Sequence, residues 1–199
     1  ALSTQVIGNS DFYNGAFPSE YSNALSGIFD MQIRNGNNQK YEHTFQLGIL
    51  GIDLASEGPI SRKHGSSYIF NYRFSTTSLA TGNDMNLKYQ DLSFKLNFPT
   101  RKAGTFSIWG IGLIDRYKPE AIDRDEWETQ GDRQSGNTAF DKAAGGLTHK
   151  YLINADTYIR SSLAATYSKD RTRADQMTED DKLVHVGDIR NSKWDIVFN

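Results

Sequence analysis

Tyr68-Ile69-Phe70-Asn71-Tyr72-Arg73-Phe74-Ser75 places an aromatic ring at every second position, with Asn71, Arg73 and Ser75 between them. Successive side chains of a β-strand point to opposite faces, so this stretch has one apolar and one polar face. A helix would scatter the same rings around its whole circumference, which excludes the helical reading. The alternation recurs on both sides of the stretch. Before it, Tyr41, His43, Phe45, Leu47 and Ile49 share a face opposed by Glu42, Thr44 and Gln46. After it, Leu92, Phe94, Leu96 and Phe98 oppose Asp91, Ser93, Lys95 and Asn97. Further runs cover 105–114, 147–154, 158–168 and 192–198, and a strand over 52–60 completes a set of eight. Upstream, the alternation predicts one short strand at 28–33, between turns marked by Gly27 and by Asn35-Gly36-Asn37-Asn38.

Connection lengths add a second signal. The stretches 61–65, 100–104 and 154–157 are short, whereas 76–87, 115–146 and 169–191 are long and charged. Short turns at one end and long loops at the other suit an antiparallel transmembrane barrel, with turns periplasmic and loops outside.

Composition narrows the choice. The chain has 199 residues, of which 37% are hydrophobic and 12% aromatic, and its formal charge is -2. Mean hydropathy is -0.60, low for a chain that buries one central core. So many aromatics exclude a disordered chain, and a near-neutral charge gives no field for nucleic acid. With no cysteine, disulfides, thiol catalysis and cysteine metal sites are excluded. No apolar run is long enough for a membrane helix, which leaves a membrane barrel open because barrel strands need only one apolar face.

The stretch from Asn9 to Asn38 carries Glu20-Tyr21-Ser22-Asn23, Ser26-Gly27-Ile28-Phe29-Asp30-Met31 and Arg34-Asn35-Gly36-Asn37 in that order. It resembles the passage that leads out of the plug in TonB-dependent outer-membrane receptors of the Bacteroidota type. Ser22 departs from the glycine usual there. Ile49 to Ile60, ending in Gly58-Pro59-Ile60, resembles the family's first barrel hairpin, and 89–100 and 103–110 look like further barrel strands of the same branch.

The resemblance implies a division of the chain. Residues 1–38 would be the C-terminal part of a plug domain, and 39–199 the N-terminal strands of an outer-membrane β-barrel. The fold class expected is therefore all-β, about eight strands of a plugged barrel of about 22. The chain would be a fragment of a transporter for a nutrient or metal chelate, in the bacterial outer membrane. Expected partners are outer-membrane lipid, the remaining barrel strands, the TonB complex through a missing N-terminal region, and a surface lipoprotein lid. Tyr21 and Phe29 would pack between plug and barrel, and Arg34 would meet a barrel carboxylate. Two other readings stand beside this one: a soluble β-rich ligand-binding module, and a complete small eight-stranded outer-membrane barrel.

Chemistry-bearing residues do not converge. His43, His64, His149 and His185 lack metal-ligand spacing, so scattered surface or strand positions are the plainer reading. The run Asp123-Arg124-Asp125-Glu126-Trp127-Glu128 offers carboxylates for calcium or for hydrolysis. It lacks the glycine of an EF-hand and any accompanying nucleophile motif, so solvated loop charge is the plainer reading. No enzyme activity and no cofactor are expected. Arg116, Tyr117, Asp123, Asp125 and Trp127 are the candidate ligand-binding residues, with Tyr167 beside them. In outer loops, rings stack on ligands while Arg and Asp supply hydrogen bonds, although rings that merely pack a loop on itself fit equally. Tyr68, Tyr72, Trp109, Tyr117 and Trp194 fit either interfacial girdles or a soluble core. Arg62, Lys63, Arg101 and Lys102 fit turn solubility or contact with anionic head groups.

Overall fold

The computed structural model describes residues 3–15, 17, 26–49, 51–75, 87–119, 121 and 123–199. The chain is all-β. Strands β1 (Ile7–Tyr13) and β2 (Ile28–Ile33) pair antiparallel in a two-stranded sheet. Eight further strands form one antiparallel sheet in strict sequence order: β3 (Glu42–Gly48), β4 (Gly51–Ser61), β5 (Ser66–Ser75), β6 (Leu87–Pro99), β7 (Thr105–Tyr117), β8 (Gln134–Leu152), β9 (Tyr158–Met177) and β10 (Leu183–Phe198). β3 pairs only with β4 and β10 only with β9, so among the described residues the sheet has two free edges. A complete eight-stranded barrel would require those edges to meet.

The register puts the apolar residues of neighbouring strands side by side. Phe45 lies opposite Leu54, Leu54 opposite Tyr72, and Phe70 opposite Phe94. Leu96 faces Ile108, Ile108 faces Leu147, Leu147 faces Leu163, and Leu163 faces Phe198. The result is one continuous apolar face, and it is the exposed one. Phe70 is 39% exposed, Leu163 50% and Ile196 76%, whereas on the other face Asn71 is 0% and Ser93 1% exposed. Burial is thus reversed from that of a water-soluble sheet. Among the described residues only Val6, Ile69 and Ala139 are buried hydrophobics. Three such side chains cannot offset the entropy of ordering a chain this long, so the apolar face needs cover to stabilise the sheet.

Among the described residues, parts of 3–15 and 26–37 cover part of the polar face. Ser3 donates from Oγ to Asp53 (2.8 Å), Val6 is fully buried, and Lys95 Nζ donates to the Ile33 carbonyl (2.7 Å). Gly36 lies so close to β5 that a side chain there would collide with the Tyr68 carbonyl. Here glycine is required by close backbone approach rather than by its dihedral freedom.

Two expectations about connections need correction. The stretch 169–191 is not a long loop: β9 runs on to Met177, a tight turn occupies 178–182, and β10 begins at Leu183. Likewise, 115–146 contains the first part of β8, and the connection shrinks to 118–133, with short 3-10 turns at Arg124–Glu126 and Gln130–Arg133. The turns near 62–65, 100–104 and 153–157 stand as expected, while 76–86 lies outside the described residues. Charge hid the extensions. In 169–176 the alternating positions carry Lys169, Arg171, Arg173 and Asp175 on one face, so no apolar period remains. Backbone pairing and cross-strand ion pairs such as Lys142–Asp170 (3.8 Å) hold these strands instead. β1 was also unanticipated, because Ile7-Gly8-Asn9-Ser10-Asp11 has no strict alternation.

Candidate functional site

The segment leaving β2 is fixed to the sheet by one side chain above all. Arg34 donates from Nη1 and Nη2 to the two carboxylate oxygens of Glu57 in β4 (2.8 and 2.5 Å), and from Nε to the Gln5 carbonyl (2.8 Å). Glu57 also accepts the Asn37 backbone N–H at 2.7 Å. A guanidinium and a carboxylate meeting edge to edge gain directionality as well as charge attraction. The hydrogen bond from Arg34 to Glu57 raises the guanidinium's pKa, outweighing the opposing effect of burial. Arg34 is cationic at every physiological pH in any case.

Glu57→Ala is expected to free residues 28–37 from the sheet. Charged hydrogen bonds contribute about 1.5–3 kcal/mol each when their partner is otherwise stranded. Amide exchange across 28–37 should quicken about tenfold to a hundredfold, by the same estimate. Unchanged protection would mean that the segment is held elsewhere.

Beside this clasp a cavity of about 370 Å³ separates β2 from the sheet. Asp30 and Gln32 line one wall, and Lys95, Ser107, Trp109 and Arg160 line the other. Met31, Ile33, Ile111 and Leu163 make the rest of the lining largely apolar, so the cavity suits reversible contact with a ligand that carries both polar and apolar groups. Trp109 spreads over Gly146, where a side chain would meet its ring at 3.1 Å. Trp109 therefore lies on the polar face, not in an interfacial girdle, as does Tyr117, while Tyr68, Tyr72 and Trp194 fall on the apolar face. Among the described residues no group of three His, Asp or Glu could hold a metal.

The residues expected to pack this junction fare differently. Tyr21, like Ser22, lies outside the described residues. Phe29 is 58% exposed and meets Phe12 within the β1–β2 hairpin, with ring centroids 6.5 Å apart. It makes that hairpin contact rather than lining the cavity beside Arg34.

The expected loop residues do not assemble into one pocket. Arg116 and Tyr117 end β7 on opposite faces. Arg116 Nη2 donates to Asp141 (2.5 Å) and Nη1 to the Phe140 carbonyl (3.1 Å). Tyr117 is 44% exposed. Asp123 precedes the first 3-10 turn, its carbonyl accepting the Glu126 N–H at 3.0 Å, and Asp125 is exposed within that turn. Trp127 lies under the Arg133 guanidinium, 4.5 Å from ring centroid to Cζ, an arrangement worth about 0.5–1 kcal/mol at an exposed site. Asp132 accepts the backbone N–H groups of Thr129 and Glu128, and these bonds hold its pKa below the usual aspartate value. Arg124 reaches the Glu179 carbonyl at 2.6 Å, tying loop 118–133 to the β9–β10 turn. Trp127 therefore packs against Arg133 of its own loop, and Arg124 ties that loop to the β9–β10 turn.

Glu57, Lys95, Trp109 and Asp141 were not singled out from sequence as site residues. For Glu57, Lys95 and Trp109 the available signal was a charged residue, or a lone indole, in the polar phase of an otherwise apolar alternation; Asp141 shares the face of Leu147 and had no such signal. Compared with known proteins, the chain matches no family model, no curated protein and no solved structure.

Proposed function

We propose that this chain is part of an outer-membrane transporter, with β3–β10 forming barrel wall and residues 1–38 the end of a plug seated against its inner face. The cargo class is a nutrient or metal chelate, and uptake is energised through a TonB complex that acts on the plug. The observation that carries this reading is the reversed burial in the central strands: an apolar face that is exposed, and a polar face on which Asn71, Asp91 and Ser93 are buried. Hydrocarbon is the solvent in which such a face is stable, and a polar lumen is what its alternates suit. The sequence likeness of 9–38 to a plug exit and the clasp between Arg34 and Glu57 support the same arrangement.

In this mechanism the chain performs no covalent chemistry. The loop region around Asp123, Asp125 and Trp127 and the cavity beside Lys95 and Trp109 make transient polar contacts with cargo. Pulling on the plug breaks its hydrogen bonds to the wall and opens a path. A soluble ligand-binding module would have to enclose the apolar face, and the exposure of Phe45, Phe70, Leu163 and Trp194 runs against it.

Extraction behaviour tests the reading directly. The full-length protein is expected to enter detergent from an outer-membrane fraction and to run on SDS gels as a compact species until heated. Recovery from buffer without detergent, as a monomer with no heat-dependent mobility, would end the proposal.

A further inference from the structure

We propose that the apolar face of β7–β10, just beyond the end of its hydrocarbon-like band, binds a lipid headgroup whose phosphate carries net negative charge. The inference rests on the membrane reading above and specifies one of its lipid contacts. The band on β9 ends at Tyr167, whose ring lies 4.5 Å from that of Trp194 on β10. Paired aromatics at the end of an apolar band suit the headgroup level. The next residues on the same face are cationic: Lys169, Arg171 and Arg173 on β9, Arg190 on β10 and Arg116 on β7. They line a groove of about 590 Å³.

The charges in this groove are not balanced internally. Arg171 and Arg190 are direct cross-strand partners, a juxtaposition of like charges that destabilises a sheet. Arg171 and Arg116 share one carboxylate, Asp141, at 2.7 and 2.5 Å. Arg173 is taken up by Asp175 at 2.9 Å, and Arg190 has only a 3.8 Å approach to Asp188. Five cations thus meet three carboxylates. The Nε of Arg171 is moreover buried without a hydrogen-bond partner. A phosphate between Arg171 and Arg190 would relieve the repulsion, and the guanidinium fork matches its oxygens.

A lipid is the fitting source because the same face of β9 and β10 runs on from the groove to Tyr167, Trp194, Leu163 and Ile196, where acyl chains would lie. The groove sits at the end of the sheet that carries loop 118–133, so the leaflet concerned is the outer one.

The test uses the full-length protein in a neutral detergent, titrated with phosphatidic acid and, separately, with phosphatidylcholine, and read by native mass spectrometry. Phosphatidic acid should bind in preference, and Arg171→Gln/Arg190→Gln should weaken it about thirtyfold, with phosphatidylcholine unaffected. Equal retention of phosphatidic acid by wild type and variant would overturn the proposal. So would displacement by inorganic phosphate at the lipid's own concentration, which would identify a free anion as ligand. A protein that never enters detergent would overturn the membrane reading itself, a visibly different failure. Should the double variant lose its heat-dependent mobility, Arg190→Gln alone serves, since that side chain is 79% exposed and held by no short contact.

Discussion

Deleting residues 9–38 from the intact protein is expected to abolish energised uptake while the barrel still assembles. The deletion removes most of β1, all of β2 and Arg34, and with them the wall of the cavity opposite Lys95 and Trp109. The sheet does not depend on these residues for its ladder, because β3–β10 pair only among themselves. Glu57 is left without its guanidinium and Lys95 without the Ile33 carbonyl, but in the proposed barrel both would face a watery interior, where a lone charge costs little. Assembly is read from heat-dependent gel mobility and coupling from cargo accumulation with and without an energised inner membrane. Accumulation that still depends on that energy after the deletion would remove the proposed mechanism. Loss of the folded species would instead show that residues 9–38 are part of the wall's own stability.

The second large effect concerns the opposite face. Phe70→Arg should destabilise the membrane-embedded protein by about 2–4 kcal/mol, the penalty for a cation on the lipid face near mid-bilayer. Phe70 lies in the middle of the apolar run of β5, opposite Ser56 on one side and Phe94 on the other, and is 39% exposed. If that face met water, the same change would fall within about 0.5 kcal/mol, as surface substitutions usually do. The two outcomes are well separated in a denaturant titration of protein folded into phosphatidylcholine bilayers. A change indistinguishable from zero would contradict the hydrocarbon-facing assignment.

Much of the sheet could be read from sequence wherever rings and polar residues alternate within one strand. Phe70, Tyr72 and Phe74 announce β5, and Leu92 through Phe98 announce β6. The first part of β8 resisted for a specific reason, whereas its end was announced by the run from Leu147. Its residues Ala143, Ala144, Gly145 and Gly146 are small because neighbouring strands supply the bulk. Trp109 lies over Gly146, and Phe94 covers Gly110 so closely that a Cβ there would come within 2.6 Å of the ring. In such places the apolar pattern runs across strands rather than along one, and a periodicity search along the chain cannot find it. The extensions of β9 and β10 failed for another reason, since ion pairs took the place of alternation.

The candidate site was less legible. Arg34 stood out through the plug-like stretch around it, but its partner Glu57 lies on a strand further along the chain, and only the docking of the segment leaving β2 against the sheet brings the two together. Asp123, Asp125 and Trp127 stood out by composition. Their geometry depends on Asp132 and Arg133, ordinary residues until the loop folds back on them.

The unpaired flank of β10 has a consequence for how the molecule is made. Sixteen residues there leave alternate amides and carbonyls with no neighbouring ladder. In hydrocarbon each such group costs several kcal/mol, so the sheet cannot slide into a bilayer strand by strand as it leaves solution. On the proposed transporter reading, insertion would instead be coupled to zipping by a donor strand, which an assembly factor could lend temporarily. Without such a donor, the same flank would template a second molecule and grow into fibrous, cross-strand aggregates.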